Sequence, residues 1–309
     1  MTKGRVLWLD VAKGMAIILV VLGHSSLPAV LNRFIFAFHM PFFFFASGYV
    51  SVFNKYNLGD YVSRKAKVLL LPFLRYSIIN LLLQPYVSDM TYQEYWMRFL
   101  QEGWLGVPLW FVPVLFLALL LAKIVFMIES HVIRRLMYIV LPIMSIVLKE
   151  IDLWLPWNIS VVPYASFLII IANWGGRLFN TPDKYKPRSL FLLILICLAV
   201  TSGISYFWKL DMCWNIILPF VPLLIGAIAG SVFLSLLAIL IVKYNKLFTR
   251  VLQAIGKETF LILAFAEITI VYLNYFFSLN SVIKYALLVV VLYVLSLIKK
   301  YLLLAFSKN

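Results

Sequence analysis

Three ionisable residues stand on one otherwise apolar stretch near the start of the chain: Asp10, Lys13 and His24. At about 100° per residue, Asp10 and Lys13 lie one helical turn apart, and the eleven-residue step to His24 returns to within ~20° of the same direction. The three therefore form one stripe on a helix, with His24 ~21 Å along the axis from Asp10. A charge at the centre of a bilayer costs at least ~2.5–3.5 kcal/mol, so such a stripe faces protein or a water-filled cavity. A neutral imidazole, with a pKa near ~6.5, is the natural general base at pH 7. An interfacial Asp10–Lys13 ion pair with an interfacial histidine would give the same spacing, and one histidine does not define a reaction.

Other polar residues fall where lipid should forbid them. His39 stands in Phe36-Ala37-Phe38-His39-Met40-Pro41. It is either a packing histidine or a site residue, and Pro41 frees a carbonyl one turn back that needs another partner. Arg64, Lys65 and Lys67 read as a positive anchor or as a site for an anionic cytosolic ligand. Arg75 lies about two turns deeper, where it would line a cavity or meet an acid. Glu267 is the most deeply placed carboxylate, with Arg75, Lys13 or a proton as its possible partners. Leu109-Trp110-Phe111-Val112-Pro113 combines an aromatic anchor with an expected helix kink, and His131 falls in a solvated loop.

The elements that must carry these residues follow from composition. Of 309 residues, 64% are hydrophobic and 13% charged, and the net charge is +15; the mean hydropathy is +1.00. Soluble domains average ~45–50% apolar and ~25% charged, which excludes that class, and the hydrophobicity excludes disorder. The positive residues are spread over short loops, a membrane-topology pattern and not a nucleic-acid surface. Cys197 and Cys213 are too few for a disulfide framework, and no metal-ligand spacing or phosphate loop is present.

Ten apolar runs are long enough to cross a bilayer: Leu7–His24, Phe34–Phe53, Val68–Val87, Leu109–Ile128, Ile133–Leu148, Ile159–Trp174, Leu190–Trp208, Trp214–Val242, Thr259–Phe277 and Val282–Leu304. The eighth is long for one span and is expected to tilt, or to break near Gly226 and Gly230. The fold class predicted is all-α and polytopic, a single domain over 1–309 with no room for a soluble one. Asp10 and Lys13 make the first span a poor cleavable signal. With both termini inside, twenty Lys and Arg fall on inside segments and five, Arg33, Arg98, Lys149, Lys209 and Lys284, on outside ones. All nine tryptophans (Trp8, Trp96, Trp104, Trp110, Trp154, Trp157, Trp174, Trp208 and Trp214) fall at or near span ends, as an aromatic belt should.

The run Arg5–His24, with Asp10, Lys13, Gly14 and His24 at the positions of an Asp-x-x-Lys/Arg-Gly…His signature, resembles the opening of the acyltransferase-3 family of integral membrane proteins. It is close to the branch resembling fucose O-acetylases. Phe38–Tyr49 resembles the family's second block. Arg64, Lys67 and Pro72 resemble its basic stretch, Leu109–Pro113 its Leu-Trp-Phe-Leu-Pro block, and Gly256-Lys257-Glu258-Thr259 its Gly-Lys-Asn-Thr entry to the ninth helix. Two departures stand out. Many members carry a histidine shortly after that entry, where this chain has Ala264-Phe265-Ala266-Glu267, and Pro163–Arg177 fits the usual sixth-span block poorly.

The resemblance implies a membrane O-acetyltransferase of the bacterial plasma membrane. Its donor would be cytosolic acetyl-CoA, with no metal and no nucleic acid involved. Its acceptor would be a hydroxyl of a cell-envelope or exported polysaccharide, or of a lipid-linked glycan, and its other partners the membrane lipids. It implies catalytic roles for His24, Asp10 and Lys13, and binding roles for Arg64, Lys65, Lys67, Arg75, His39, Trp110 and Glu267. An exporter of polysaccharide or lipid-linked sugar, without acyl chemistry, is the alternative.

Overall fold

The computed structural model describes residues 6–25, 27–87, 91–102, 108–153, 155–176, 187–277 and 280–306. Lys3, Arg5, Arg177, Lys184, Lys186 and Lys308 of the charge pattern, and Trp104 and Trp154 of the aromatic belt, lie outside the described residues. Within a bilayer every backbone N–H and C=O must be bonded inside its own segment, and the long apolar runs accordingly fold as helices. Fourteen α-helices follow one another among the described residues: α1 Leu7–Gly23, α2 Ala29–Phe36, α3 His39–Val50, α4 Leu58–Lys65, α5 Leu71–Leu83, α6 Tyr92–Glu102, α7 Phe111–Met127, α8 His131–Glu150, α9 Val162–Gly175, α10 Pro187–Phe207, α11 Phe220–Tyr244, α12 Lys246–Lys257, α13 Thr259–Phe276 and α14 Ser281–Phe306. Among the described residues, β-structure is limited to one isolated bridge between Asp211 and Ile216.

Nine helical segments among the described residues are long and apolar enough to cross a membrane. The sequence pattern predicts ten. The difference is α1, whose 17 residues sit at the short end of the ~17–25 that spans need. It lies among other helices, with Trp8, Leu9, Val11, Ala12, Ala16, Ile17 and Val20 all buried. The central segments are Pro108–Met127 and Pro156–Gly175, each 67% buried, whereas His131–Glu150 and Ser281–Tyr301 are 11% buried and form the rim.

Long-range contacts define the two ends of the bundle. At one end Asp10 approaches Gly256, Lys123 reaches the loop after α3, and Lys299 of α14 pairs with Glu258 at 2.6 Å. At the other end Asn32 donates to the Gly23 carbonyl, Trp157 to that of Leu100, and Asn158 to that of Cys213. The start of α1 and the C-terminal part of α14 therefore share one end, as an even number of crossings requires.

Several boundaries differ from the sequence reading, each for a local reason. The third span starts ten residues early: α4 continues through a π-helical turn, Ala66–Leu70, into α5, and the wider turn absorbs the missing N–H of Pro72. Arg64, Lys65 and Lys67 therefore lie on the helix and not before it. The eighth span is unbroken from Phe220 to Tyr244, because Gly226 and Gly230 pack against Ile204 and Phe38. Trp214 stays in the preceding loop. Pro113 falls in the first turn of α7, where a proline kinks nothing. The second span is interrupted at Ala37–Phe38, between α2 and α3.

The tightest helix crossing is α1 on α12. A Cβ built on Gly256 would stand 1.8 Å from the Asp10 carbonyl oxygen, and one on Gly14 would stand 2.1 Å from that of Leu252. Both obstacles are backbone, so neither can step aside, and only glycine lets the helices approach this closely. Gly256→Val is expected to lower the thermal midpoint of the detergent-solubilised protein sharply, by the equivalent of about 2 kcal/mol or more. Substitution of Gly203, whose surroundings are open, by alanine should leave the midpoint within the error of the same melting curve.

Candidate functional site

The site begins with the close crossing of α1 and α12. It seats Asp10, 3% exposed, beside Lys13, with carboxylate and ammonium 3.0 Å apart. An ionised acid at that depth needs a partner, and Lys13 provides one from the next turn. The Lys13 side chain, 29% exposed, borders an apolar cavity of about 220 Å³ with Leu9, Ile17, Phe43, Phe111, Thr259 and Leu263 on its walls.

His24 sits immediately after the last residue of α1 and opens onto a second cavity at the other end, of about 370 Å³. Asn32, His39, Trp110, Lys209, Asp211, Trp214 and Glu267 line it as well. A small void of about 10 Å³ lies between the two. It shares Ile17 and Leu263 with the Lys13 cavity, and His24, Pro108 and Glu267 with the larger one. All three spaces are thus lined in part by α1 and α13, and the smallest, the neck, has room for about one water molecule. One stripe of α1 serves both: Lys13 borders the first cavity, Ile17 lines that cavity and the neck, and His24 lines the neck and the larger cavity.

The break in the second span positions His39. Its Nδ1 lies 2.8 Å from the Ile35 carbonyl; a carbonyl only accepts, so Nδ1 carries the proton and Nε2 is left as an acceptor. This is a side-chain answer to the carbonyls left over where α2 gives way to α3. The His39 ring meets Phe36 edge-on at 4.8 Å. Phe36 stands 6.2 Å from His24 and lies under the Lys209 ammonium at 4.8 Å. Trp110 closes a 3-10 turn, Pro108–Trp110, ahead of α7. That turn places Trp110 on the large cavity and the adjacent Phe111 on the Lys13 cavity. Glu267 reaches the neck from α13, and its Oε2 is buried with no hydrogen-bond partner among the described residues.

The remaining expected site residues are placed elsewhere. Arg64 lies over the Tyr56 ring at 4.4 Å and Lys65 over Tyr61 at 5.5 Å, while Lys67 is exposed. They flank the Lys13 cavity's end of the bundle, but only their neighbour Leu69 reaches its wall. Arg75 is exposed on α5, and among the described residues no ion pair joins Glu267 to Arg75 or to Lys13. Lys13 is engaged by Asp10. No group of three or more His, Cys, Asp or Glu is placed to hold a metal ion among the described residues.

Sequence reasoning missed Asn32, Lys209, Asp211 and Trp214. Lys209 pairs with Asp211 at 2.9 Å. The backbone of Asp211 bonds Ile216 in both directions, at 3.0 and 2.8 Å, which folds the segment between α10 and α11 back over His24. The available signal was an acid two residues from a lysine, framed by Trp208 and Trp214, on a segment that the charge pattern predicts to lie outside and that has few other charges. Read for topology alone, Lys209 is only an outside charge. Lys123 is one of the twenty charges that the topology count assigns to inside segments. It is instead buried, 3% exposed, and donates to the carbonyls of Phe53 and Tyr56 at 2.6 and 2.8 Å, fixing the turn after α3.

The profile of a family described as an acyltransferase domain matches residues 6–304. No curated protein and no solved structure matches the chain.

The Asp10–Lys13 pair makes a prediction independent of any activity. Lys13→Met removes the ammonium beside a buried carboxylate and is expected to cost about 1–3 kcal/mol, at the low end because Lys13 is partly open to solvent. Asp10→Asn combined with Lys13→Met should recover most of that loss. Chemical or thermal unfolding of the two variants in detergent reads the difference, and equal losses would contradict the pairing.

Proposed function

This chain belongs to the acyltransferase-3 family and is a multi-pass membrane acyltransferase of the class that moves groups other than aminoacyl groups, and on that premise we propose its donor, acceptor and chemistry. It transfers an acetyl group from cytosolic acetyl-CoA to a hydroxyl of a cell-envelope or exported polysaccharide, as an enzyme of the bacterial plasma membrane in the fucose O-acetylase-like branch. Both termini face the cytosol. The observation that carries this reading is a pair of cavities of different character toward opposite ends of the bundle, with a small void lined by Ile17, His24, Leu263 and Glu267 between them.

Acetyl-CoA is made in the cytosol and is too polar to cross, while the acceptor lies at the outer face or on a lipid carrier. The donor cavity is the apolar one. Its walls of Leu9, Ile17, Phe43, Phe111 and Leu263 suit a slender pantetheine arm, with Lys13 at the side. Arg64, Lys65 and Lys67, at the same end, provide the cations for the phosphates. His24 takes the proton from the acceptor hydroxyl as its oxygen attacks the thioester carbonyl carbon. The C–S bond then breaks, the thiolate leaves, and the imidazolium returns the proton to sulfur. Glu267, facing the same neck, stabilises the imidazolium during that interval and supplies a carboxylate where many members have a histidine. Asp10 touches neither substrate; it holds Lys13 in place.

A void with room for about one water between the two cavities suits a thioester and a hydroxyl meeting end to end. It does not suit passage of a sugar, which favours transfer over export without chemistry.

Membranes bearing the protein, supplied with labelled acetyl-CoA and the host polysaccharide, are expected to label the polysaccharide. His24→Ala should lower the rate by about 10²–10⁴-fold. Glu267→Gln should lower kcat while leaving the KM for acetyl-CoA near that of the unmodified chain. Labelling by His24→Ala at the full rate would remove the histidine from the chemistry. Absence of labelling by the unmodified, folded chain would turn the reading toward export.

A further inference from the structure

The larger cavity carries more than an opening for His24. Its composition differs from the rest of the bundle: aromatic rings, an amide and carboxylates converge there, and the segment Trp208–Pro219 is folded over it by the Asp211–Ile216 bridge and by Asn158 donating to the Cys213 carbonyl at 3.1 Å. We propose that this cavity is the acceptor subsite and that the segment between α10 and α11 shapes it for an uncharged glycosyl residue. The proposal rests on the acyl-transfer reading and adds to it the class of acceptor and the residues that select it.

Size comes first. A cavity of about 370 Å³ is near the small end of the ~300–1,000 Å³ of ligand sites, room for on the order of one or two sugar rings. A single residue of a glycan enters while the remainder of the chain stays outside. The lining fits the two characters of a pyranose, an apolar C–H face and an edge of hydroxyls. Trp214, 55% exposed, offers a flat indole at the rim, and Trp110 offers another at the floor. Asn32 is fixed by donating to the Gly23 carbonyl at 2.8 Å, which leaves its amide oxygen as an acceptor for a hydroxyl. The Asp211 carboxylate is a second acceptor.

Charge selects among sugars. Lys209 is the one Lys or Arg that lines the cavity among the described residues, and Asp211 neutralises it at 2.9 Å. The Glu267 carboxylate lines the same space. A uronate or phosphorylated sugar would therefore meet an ammonium that is already paired and no second cation to offset the loss of its hydration, an arrangement that disfavours it. A neutral sugar meets only hydrogen-bonding groups. The overall charge of +15 does not extend into this cavity.

The test uses the full chain in nanodiscs, titrated calorimetrically with oligosaccharides released from the host's envelope polysaccharide and separated into a neutral pool and a uronate-bearing pool. The neutral pool is expected to bind at least tenfold more tightly. Trp214→Ala, which changes an exposed side chain, should weaken neutral binding about tenfold. Asp211→Asn should weaken it similarly and narrow the gap between the pools, while the affinity for acetyl-CoA stays within twofold in both variants. Equal binding of the two pools, or neutral binding unaltered by Trp214→Ala, would overturn the proposal. Acetyl transfer is scored separately on the same samples. Glycan binding that responds to the variants without any acetyl transfer would uphold the subsite and refute the chemistry. Transfer that proceeds with variant affinities unaltered would refute the subsite and leave the chemistry standing.

Discussion

Everything in this molecule that resembles a reaction centre depends on holding an ionisable stripe inside an apolar bundle. A membrane helix bearing Asp10 and Lys13 is costly in lipid, and the fold meets that cost by enclosing α1 with protein. The enclosure depends on two glycines. Gly14 and Gly256 bring the backbones of α1 and α12 close enough that no side chain fits between them. Asp10 is thereby buried and must pair with Lys13. Once α1 is fixed in this way, its remaining length sets the position of Ile17 in the neck and of His24 beyond it.

The rest of the bundle builds walls around that helix. α13 faces it with Leu263 and Glu267, and the start of α7 supplies Trp110 to one cavity and Phe111 to the other. The interruption between α2 and α3 brings Phe36 and His39 toward His24. A continuous second span would have directed these rings along its own cylinder. The outcome is a division of labour by polarity: an apolar cavity at the Lys13 end, a mixed polar and aromatic one at the His24 end, and a constriction between them. A bundle built for passage would have a continuous polar path, and one built only for rigidity would have no reason to leave a carboxyl oxygen of Glu267 without a partner among the described residues.

The sequence made some of this legible and hid the rest. The helical class, the apolar runs and the stripe on α1 follow from composition and from the 100° step, because hydropathy and helix geometry are local properties. The resemblance pointed to His24, Asp10 and Lys13, and the structure adds where each stands: Lys13 at one cavity with Asp10 paired to it, and His24 at the other. Gly256 was visible only as part of a block, since its contact with Asp10 joins residues far apart in the chain. The Lys209–Asp211 pair was hidden for the same reason, because its position over His24 depends on how α10 packs on α2 and α11. Arg75 misled in the other direction. Depth counted along the sequence placed it in the interior, whereas the helix turns it outward, and counting residues from a presumed span start cannot reveal a face. The start itself moved by ten residues once the π-turn before Pro72 was formed.

The central claim is that donor and acceptor approach the neck from opposite sides of the membrane and react there without either crossing. It is tested most directly in sealed proteoliposomes of defined orientation, with acetyl-CoA confined to the face bearing the termini and the glycan acceptor confined to the other. The account predicts labelled acetyl on the glycan while acetyl-CoA stays on its own side, and none when the two compartments are exchanged. Transfer that occurs only when donor and acceptor share one compartment would contradict it.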